Sequence, residues 1–174
     1  MNIVNPKTAL ISLSDKSNLD HIINFLIKKN IKILSTGGTY NAIKKITNSV
    51  IEVSEFTGFN EMMDGRVKTL HPKIHAGILA RRDSDLELLK EKGYEAIDLV
   101  IVNLYPFEET IKKDCSFEDA IENIDIGGPT MIRAAAKNFK DVVVLSDPND
   151  YEKITGEWDL SLIHISEPTR PFHI

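Results

Sequence analysis

Cysteine is almost missing from this chain of 174 residues: Cys115 stands alone, so no disulfide can form within it and nothing about its folding calls for an oxidising compartment. Long hydrophobic runs are missing too. No stretch of 18 apolar residues is present to span a bilayer, and Met1 to Lys7 lacks the apolar core of a secretory signal, so a cytoplasmic protein with no membrane partner is expected. Nor is there an excess of positive charge. Twenty-one Lys and Arg against 26 Asp and Glu leave a net charge of −5, which is not the footprint of a nucleic-acid polymer binder, although local cationic pockets remain open. What is present is ordinary globular composition, 42% hydrophobic and 27% charged, at a length that suits one self-sufficient core.

The apolar pattern reads as alternating strands and helices. Thr8 to Ser14 is a buried strand ending in hydroxyls. Leu19, Ile22, Ile23, Leu26 and Ile27 then recur at helical spacing, with Asp15 or Ser17 as the expected cap. Ile31 to Leu34 is a second strand, Thr39 opens a second helix through Ile43 and Ile46, and Val50 to Val53 is a third strand. The stretch from Glu55 to Leu79 has no clean period, and a connection of that length points to function. Leu86 to Lys92 is helical and stops at Gly93; Leu99 to Leu104 is the strongest buried strand. Phe117 to Ile124 forms a short helix capped by Ser116, Pro129 lies in the first turn of the next helix, and Val142 to Leu145 is a last strand. The class that follows is α/β, a doubly wound, mostly parallel sheet with helices on both faces, whose ligands bind at the carboxyl ends of the strands. The domain is expected over residues 1–154. Residues 155–174 show neither period nor cap logic and are read as an atypical segment, cloning-derived or frame-altered, against the alternative of a natural extension packing on the domain.

Several clusters could carry chemistry. Ser35-Thr36-Gly37-Gly38-Thr39 lies between a strand and a helix, where glycine amides, hydroxyls and a helix amino terminus together make a phosphate cradle. Neither Gly-x-Gly-x-x-Gly nor Gly-Lys-Ser/Thr is present there, which disfavours dinucleotides and ATP. Ser12, Ser14 and Lys16 leave the neighbouring strand toward the same edge. Arg66, Lys68 and Thr69 concentrate two cations and a hydroxyl in the irregular segment. His71 and His75 are four apart, but Pro72 and Gly77 follow them and the glutamate of a His-Glu-x-x-His site is absent, so they read as structural rather than metal ligands. Asn103 and Tyr105 end the buried strand, and Asp125 precedes Gly127-Gly128-Pro129. Arg133 and Lys137 form a like-charge pair one turn apart that calls for anionic partners. A carboxylate, a lysine and a tyrosine meeting near a phosphate cradle would suffice for general acid and base catalysis; spacing alone leaves open whether they meet.

Seven blocks in order carry a family resemblance: Ser12 to Lys16, Ser35 to Thr39, Gly65 to Pro72, His75 to Arg81, Asn103 to Phe107, Ile124 to Gly128 and Arg133 to Asn138. From about Lys7 to Tyr151 the chain resembles the inosine monophosphate (IMP) cyclohydrolase domain of the bifunctional purine-biosynthesis enzymes, which has a methylglyoxal-synthase-like fold. The resemblance implies dehydrative closure of 5-formamidoimidazole-4-carboxamide ribonucleotide to IMP, without metal or cofactor. It also implies that Ser14, Lys16, Thr36, Gly37, Gly38 and Thr39 surround the phosphate, with Ser12 among the substrate-binding residues. Arg66, Thr69, Val102, Asn103, Ile126 and Gly127 would line the ribose and base, and Lys68, Tyr105, Asp125 and Lys137 would carry the chemistry, with Lys137 moving the principal proton.

The family's second domain, a formyltransferase using 10-formyltetrahydrofolate, has no counterpart after Tyr151, so formyl transfer is not expected of this chain. A homodimer is implied by the same resemblance. Competing readings are methylglyoxal synthase, disfavoured by the Arg66 to Thr69 and Ile124 to Gly128 blocks, and the nucleotide-sensing module of carbamoyl phosphate synthetase. A sensor needs the cradle but not the acid-base set. A generic α/β scaffold or interaction domain is the blandest reading.

Overall fold

In the computed structural model, which describes residues 5–104 and 116–157, five parallel strands form one sheet. They are β1 (Thr8–Leu13), β2 (Lys32–Ser35), β3 (Val50–Glu52), β4 (Leu99–Asn103) and β5 (Val143–Leu145), in the spatial order β3-β2-β1-β4-β5. The helices are α1 (Leu19–Lys28), α2 (Gly37–Lys44), α3 (Val53–Thr57), α4 (Pro72–Leu79), α5 (Leu86–Glu91), α6 (Phe117–Glu122), α7 (Gly127–Lys137) and α8 (Tyr151–Glu157), with a 3-10 turn at Pro148–Asp150.

Alternation along the strands builds two cores. Ala9, Ile11 and Leu13 of β1 with Leu99 and Ile101 of β4 face Leu19, Ile22, Ile23 and Leu26 of α1 and Ile43 of α2. Leu10, Val100 and Val102 face the other way, onto Val53 and Phe56 of α3, Ile74 and Ile78 of α4, and Met131, Ala134 and Ala135 of α7. Both faces are therefore covered, which is why the strands read as nearly continuous apolar runs. The expected doubly wound α/β class is the observed one.

The strand order places the switch point between β1 and β4. Successive crossovers move outward from β1 to β2 to β3, then the chain returns to the opposite side of β1, so the loops after β1 and β4 diverge and leave a crevice at the carboxyl edge. Ser12 pairs with Val102 and Leu13 with Asn103 in the register of these two strands.

Local differences from the sequence reading have local causes. Asn18, in the left-handed conformation, stands at the amino end of α1, while Asp15 accepts from the Ser17 amide at 2.8 Å in a turn of its own. The second helix opens at Gly37 rather than Thr39. Inside the stretch read as aperiodic, α4 begins at Pro72 with His71 as its cap, the His71 ring accepting from the Lys73 amide at 3.1 Å. Tyr151 and Ile154 of α8 are fully buried, and α8 runs through Glu157, into the segment read as atypical. His21 of α1 is exposed and meets Thr155 Oγ1 at 3.1 Å.

Candidate active site

The crevice is walled first by the loop after β1. Its backbone is fastened from both sides. Thr39 Oγ1 accepts from the Leu13 amide at 2.8 Å and donates to the Leu13 carbonyl at 3.0 Å. From β4, Asn103 Oδ1 accepts from the amides of Ser14 at 2.6 Å and Asp15 at 3.0 Å, while its Nδ2 donates to the Asp15 carbonyl at 2.7 Å. Lys16 curls back, its ammonium 3.3 Å from the carbonyls of Leu13 and Ser14. Hydrogen bonds within Asp15's turn to Ser17 hold its carboxyl below the ordinary range.

Across the crevice, β2 delivers the turn into α2. Ser35 Oγ donates to the Ile11 carbonyl at 2.8 Å, tying β2 to β1 just before Thr36. Gly37 adopts φ +57°, and a Cβ on Gly38 would meet nothing within 4 Å, so the turn into α2 is open at Gly38. Unpartnered amides at a helix amino terminus are donors for an anion.

The third wall is the segment between α3 and α4. Met62 and Val67 form an isolated antiparallel bridge, with the Met62 amide 3.0 Å from the Val67 carbonyl and the Val67 amide 3.2 Å from the Met62 carbonyl. The turn between them takes positive φ at Met63, Asp64 and Gly65. Lys68 leaves this hairpin with its ammonium 3.2 Å from where a Gly37 Cβ would stand, and it pairs with Glu61. Arg66 pairs instead with Glu122 of α6. Thr69 is buried, with its hydroxyl packed so closely on Gly127 that any Cβ there would collide.

The fourth wall is the turn into α7. Asp125 Oδ1 accepts from the Gly128 amide at 2.9 Å, and its Oδ2 and Leu104 both pack against Gly128. Ile126 is exposed beside them. Lys68 and Thr69, adjacent in sequence, thus reach from the Gly37 turn to the Gly127 turn.

Not every expected site residue converges. Val102 is 1% exposed and its side chain belongs to the core, so only its backbone can face a ligand. Lys137 is exposed at the far end of α7, about 15 Å along the helix axis from Gly127 at 1.5 Å per residue. There Asn138 donates to the carbonyls of Ile78 at 2.9 Å and Ala80 at 3.0 Å, marking the amino edge of the sheet. Arg133 is exposed as well, which relieves the like-charge pair by solvation. Tyr105 lies outside the described residues, as do Phe107 and Cys115.

Two residues of the site went unread in the sequence, Glu61 and Glu122. Asp64-Gly65 is a hairpin signal that would have placed Glu61 opposite Lys68; Glu122 carries no such signal, because its pairing depends on where α6 docks.

A parallel sheet with a glycine-rich crevice at its switch point defines a doubly wound α/β domain, and the chain belongs to the MGS-like domain family, whose model matches residues 18–130. Over 153 residues, 87% of the chain, it is 59% identical to the bifunctional purine biosynthesis protein PurH of Fusobacterium nucleatum and 59% identical to that of Clostridium acetobutylicum. The match lies in their N-terminal part, and the chain spans only 30% and 31% of their respective lengths. The crystal structure of ForH superposes with a TM-score of 0.76 at 35% identity, covering 89% of this chain and 80% of that one. The expected family relationship is therefore established. Among the described residues, no helix is long and apolar enough to cross a membrane.

Proposed function

We propose that the chain closes 5-formamidoimidazole-4-carboxamide ribonucleotide to IMP with loss of water. The observation that carries this reading is the span of Lys68 and Thr69, which links an anion cradle at Gly37 and Gly38 to the carboxylate turn at Asp125. A ribonucleotide needs that separation: phosphate at one end, reacting base at the other. Ser14, Lys16, Thr36 and the α2 amides take the phosphate, with Ser12 and the Asn103 end of β4 beside the ribose.

In the ring closure the carboxamide nitrogen bonds to the formyl carbon and gives up one hydrogen, the formamido nitrogen loses its own hydrogen as the C=N bond forms, and the formyl oxygen takes up two protons and departs as water. Lys68 stabilises the negative charge that develops on the formyl oxygen. Asp125, held by the Gly128 amide through one oxygen, orients the carboxamide with the other or relays its proton. Tyr105 and Lys137 handle the amide proton in this scheme. Lys137 lies about 15 Å along α7 from the turn of its own copy, beyond the reach of a lysine side chain, so its part in this scheme requires the crevice of a second copy, in the homodimer that the family resemblance implies. Neither metal nor cofactor enters any step.

The test is an ultraviolet assay of IMP formation from the formylated ribonucleotide in the absence of folate. Turnover that is abolished in Asp125→Asn with folding unchanged supports the reading. Tight nucleotide binding without turnover would move the domain to the sensing class.

A further inference from the structure

The hairpin that carries Lys68 contains a partner that the scheme above leaves without a task. The Met62 and Val67 bridge sets an antiparallel register in which the next residues outward, Glu61 and Lys68, stand opposite one another. Their side chains form an ion pair, with Lys68 at 26% and Glu61 at 54% side-chain exposure. The same ammonium lies 3.2 Å from the Cβ position of Gly37 and 3.5 Å from that of Gly65, and Glu61 Oε2 lies 3.7 Å from the latter. Three successive residues with positive φ, Met63, Asp64 and Gly65, close the turn. Two of them are not glycine, a conformation that costs energy and that persists where the surroundings enforce it.

We infer that Glu61 is a positioning residue, fixing the Lys68 ammonium over the Gly37 turn before substrate arrives. A lysine side chain is a flexible stem whose free end samples many rotamers. Pairing across the hairpin restricts it to the space between the cradle and the reacting base, where a charge is useful only if it is already in place. The inference rests on the cyclohydrolase reading for the chemistry Lys68 performs, not for the pairing itself.

The first readout is therefore independent of activity. In the ligand-free chain, the ε-methylene carbon and proton resonances of Lys68, assigned by their loss in Lys68→Met, are expected to stand apart from the averaged lysine envelope. They collapse into it in Glu61→Ala and stay partly resolved in the isosteric Glu61→Gln. The second readout is kinetic: Glu61→Ala lowers kcat by roughly tenfold while KM changes little, and it has no further effect in a Lys68→Met background. Unchanged Lys68 resonances in Glu61→Ala overturn the inference, as do additive losses in the double variant or tighter IMP binding by Glu61→Ala, which would make Glu61 a competitor of the ligand. If the resonances respond as expected but the wild-type chain does not cyclise, the functional reading fails and the positioning role stands.

Discussion

Thr39 and Asn103 stand at the mouth of the crevice, yet their polar atoms are committed to the backbone of Leu13, Ser14 and Asp15. Thr39 in the first turn of α2 and Asn103 at the end of β4 were both singled out by residue type and position; that their polar atoms shape the loop after β1 depends on strand register, which their own positions do not encode. His75 is the converse case. Its Nε2 is buried without a hydrogen-bond partner, and burial pushes the imidazole below its ordinary value of 6.5, opposed by a hydrogen bond to the Thr69 carbonyl. A histidine with a depressed folded value is neutral in the native state while the unfolded chain takes up a proton, so the unfolded state binds more protons below 6.5. Stability should therefore fall as pH drops through 6.5, and His75→Leu should flatten that slope in urea midpoints measured against pH. A slope unchanged by the substitution would place its origin elsewhere.

Strands and α1 were readable because each turns a continuous or periodic apolar face to a core; of the α1 stripe Leu19, Ile22, Ile23 and Leu26 are buried, while Ile27 is exposed. Helix α4 was not, because Pro72 opens it and Gly77 interrupts the apolar pair Ile74 and Ile78. Gly77 is there for contact: a Cβ would stand 2.6 Å from the Glu95 carbonyl oxygen and 3.1 Å from Ile97 Cγ1. Because the obstacle is backbone, Gly77→Ala should cost about 1–3 kcal/mol, read as a lowered Tm, with the crevice otherwise intact. Helix α6 shows the opposite relation between sequence and packing. Its Ser116 capping box was legible and is formed, the Ser116 hydroxyl accepting from the Asp119 amide at 3.0 Å, yet none of its residues is buried. Local signals fixed the helix; only the tertiary placement of Arg66 against Glu122 ties it to the site, and an exposed pair contributes little to stability.

For the molecule as a whole, topology brings Ser14, Gly37, Lys68 and Asp125 to one edge and sends Lys137 to the other. The sequence motifs grouped these residues for one chemistry but did not show that Lys137 stands at the opposite edge within one copy, because a motif records spacing along α7 and not the direction in which α7 runs. A shared site has a numerical consequence. Lys68→Met and Lys137→Met, each strongly impaired but measurable alone, should together regain about a quarter of wild-type activity when their subunits are mixed one to one and allowed to exchange, since half the dimers are mixed and each contains one intact crevice. No recovery after demonstrated exchange would keep Lys137 out of the partner's site. The overall charge of −5 says nothing against an anionic ligand, because Lys16, Arg66 and Lys68 supply local cations at the edge where it would bind.

The central claim is that this edge is catalytic rather than only a nucleotide receptor. Following the absorbance of the purified chain with the formylated carboxamide ribonucleotide, without folate, tests it most directly: steady formation of IMP, lost in Asp125→Asn, is the predicted result, and saturable binding of the ribonucleotide with no IMP formed would contradict it.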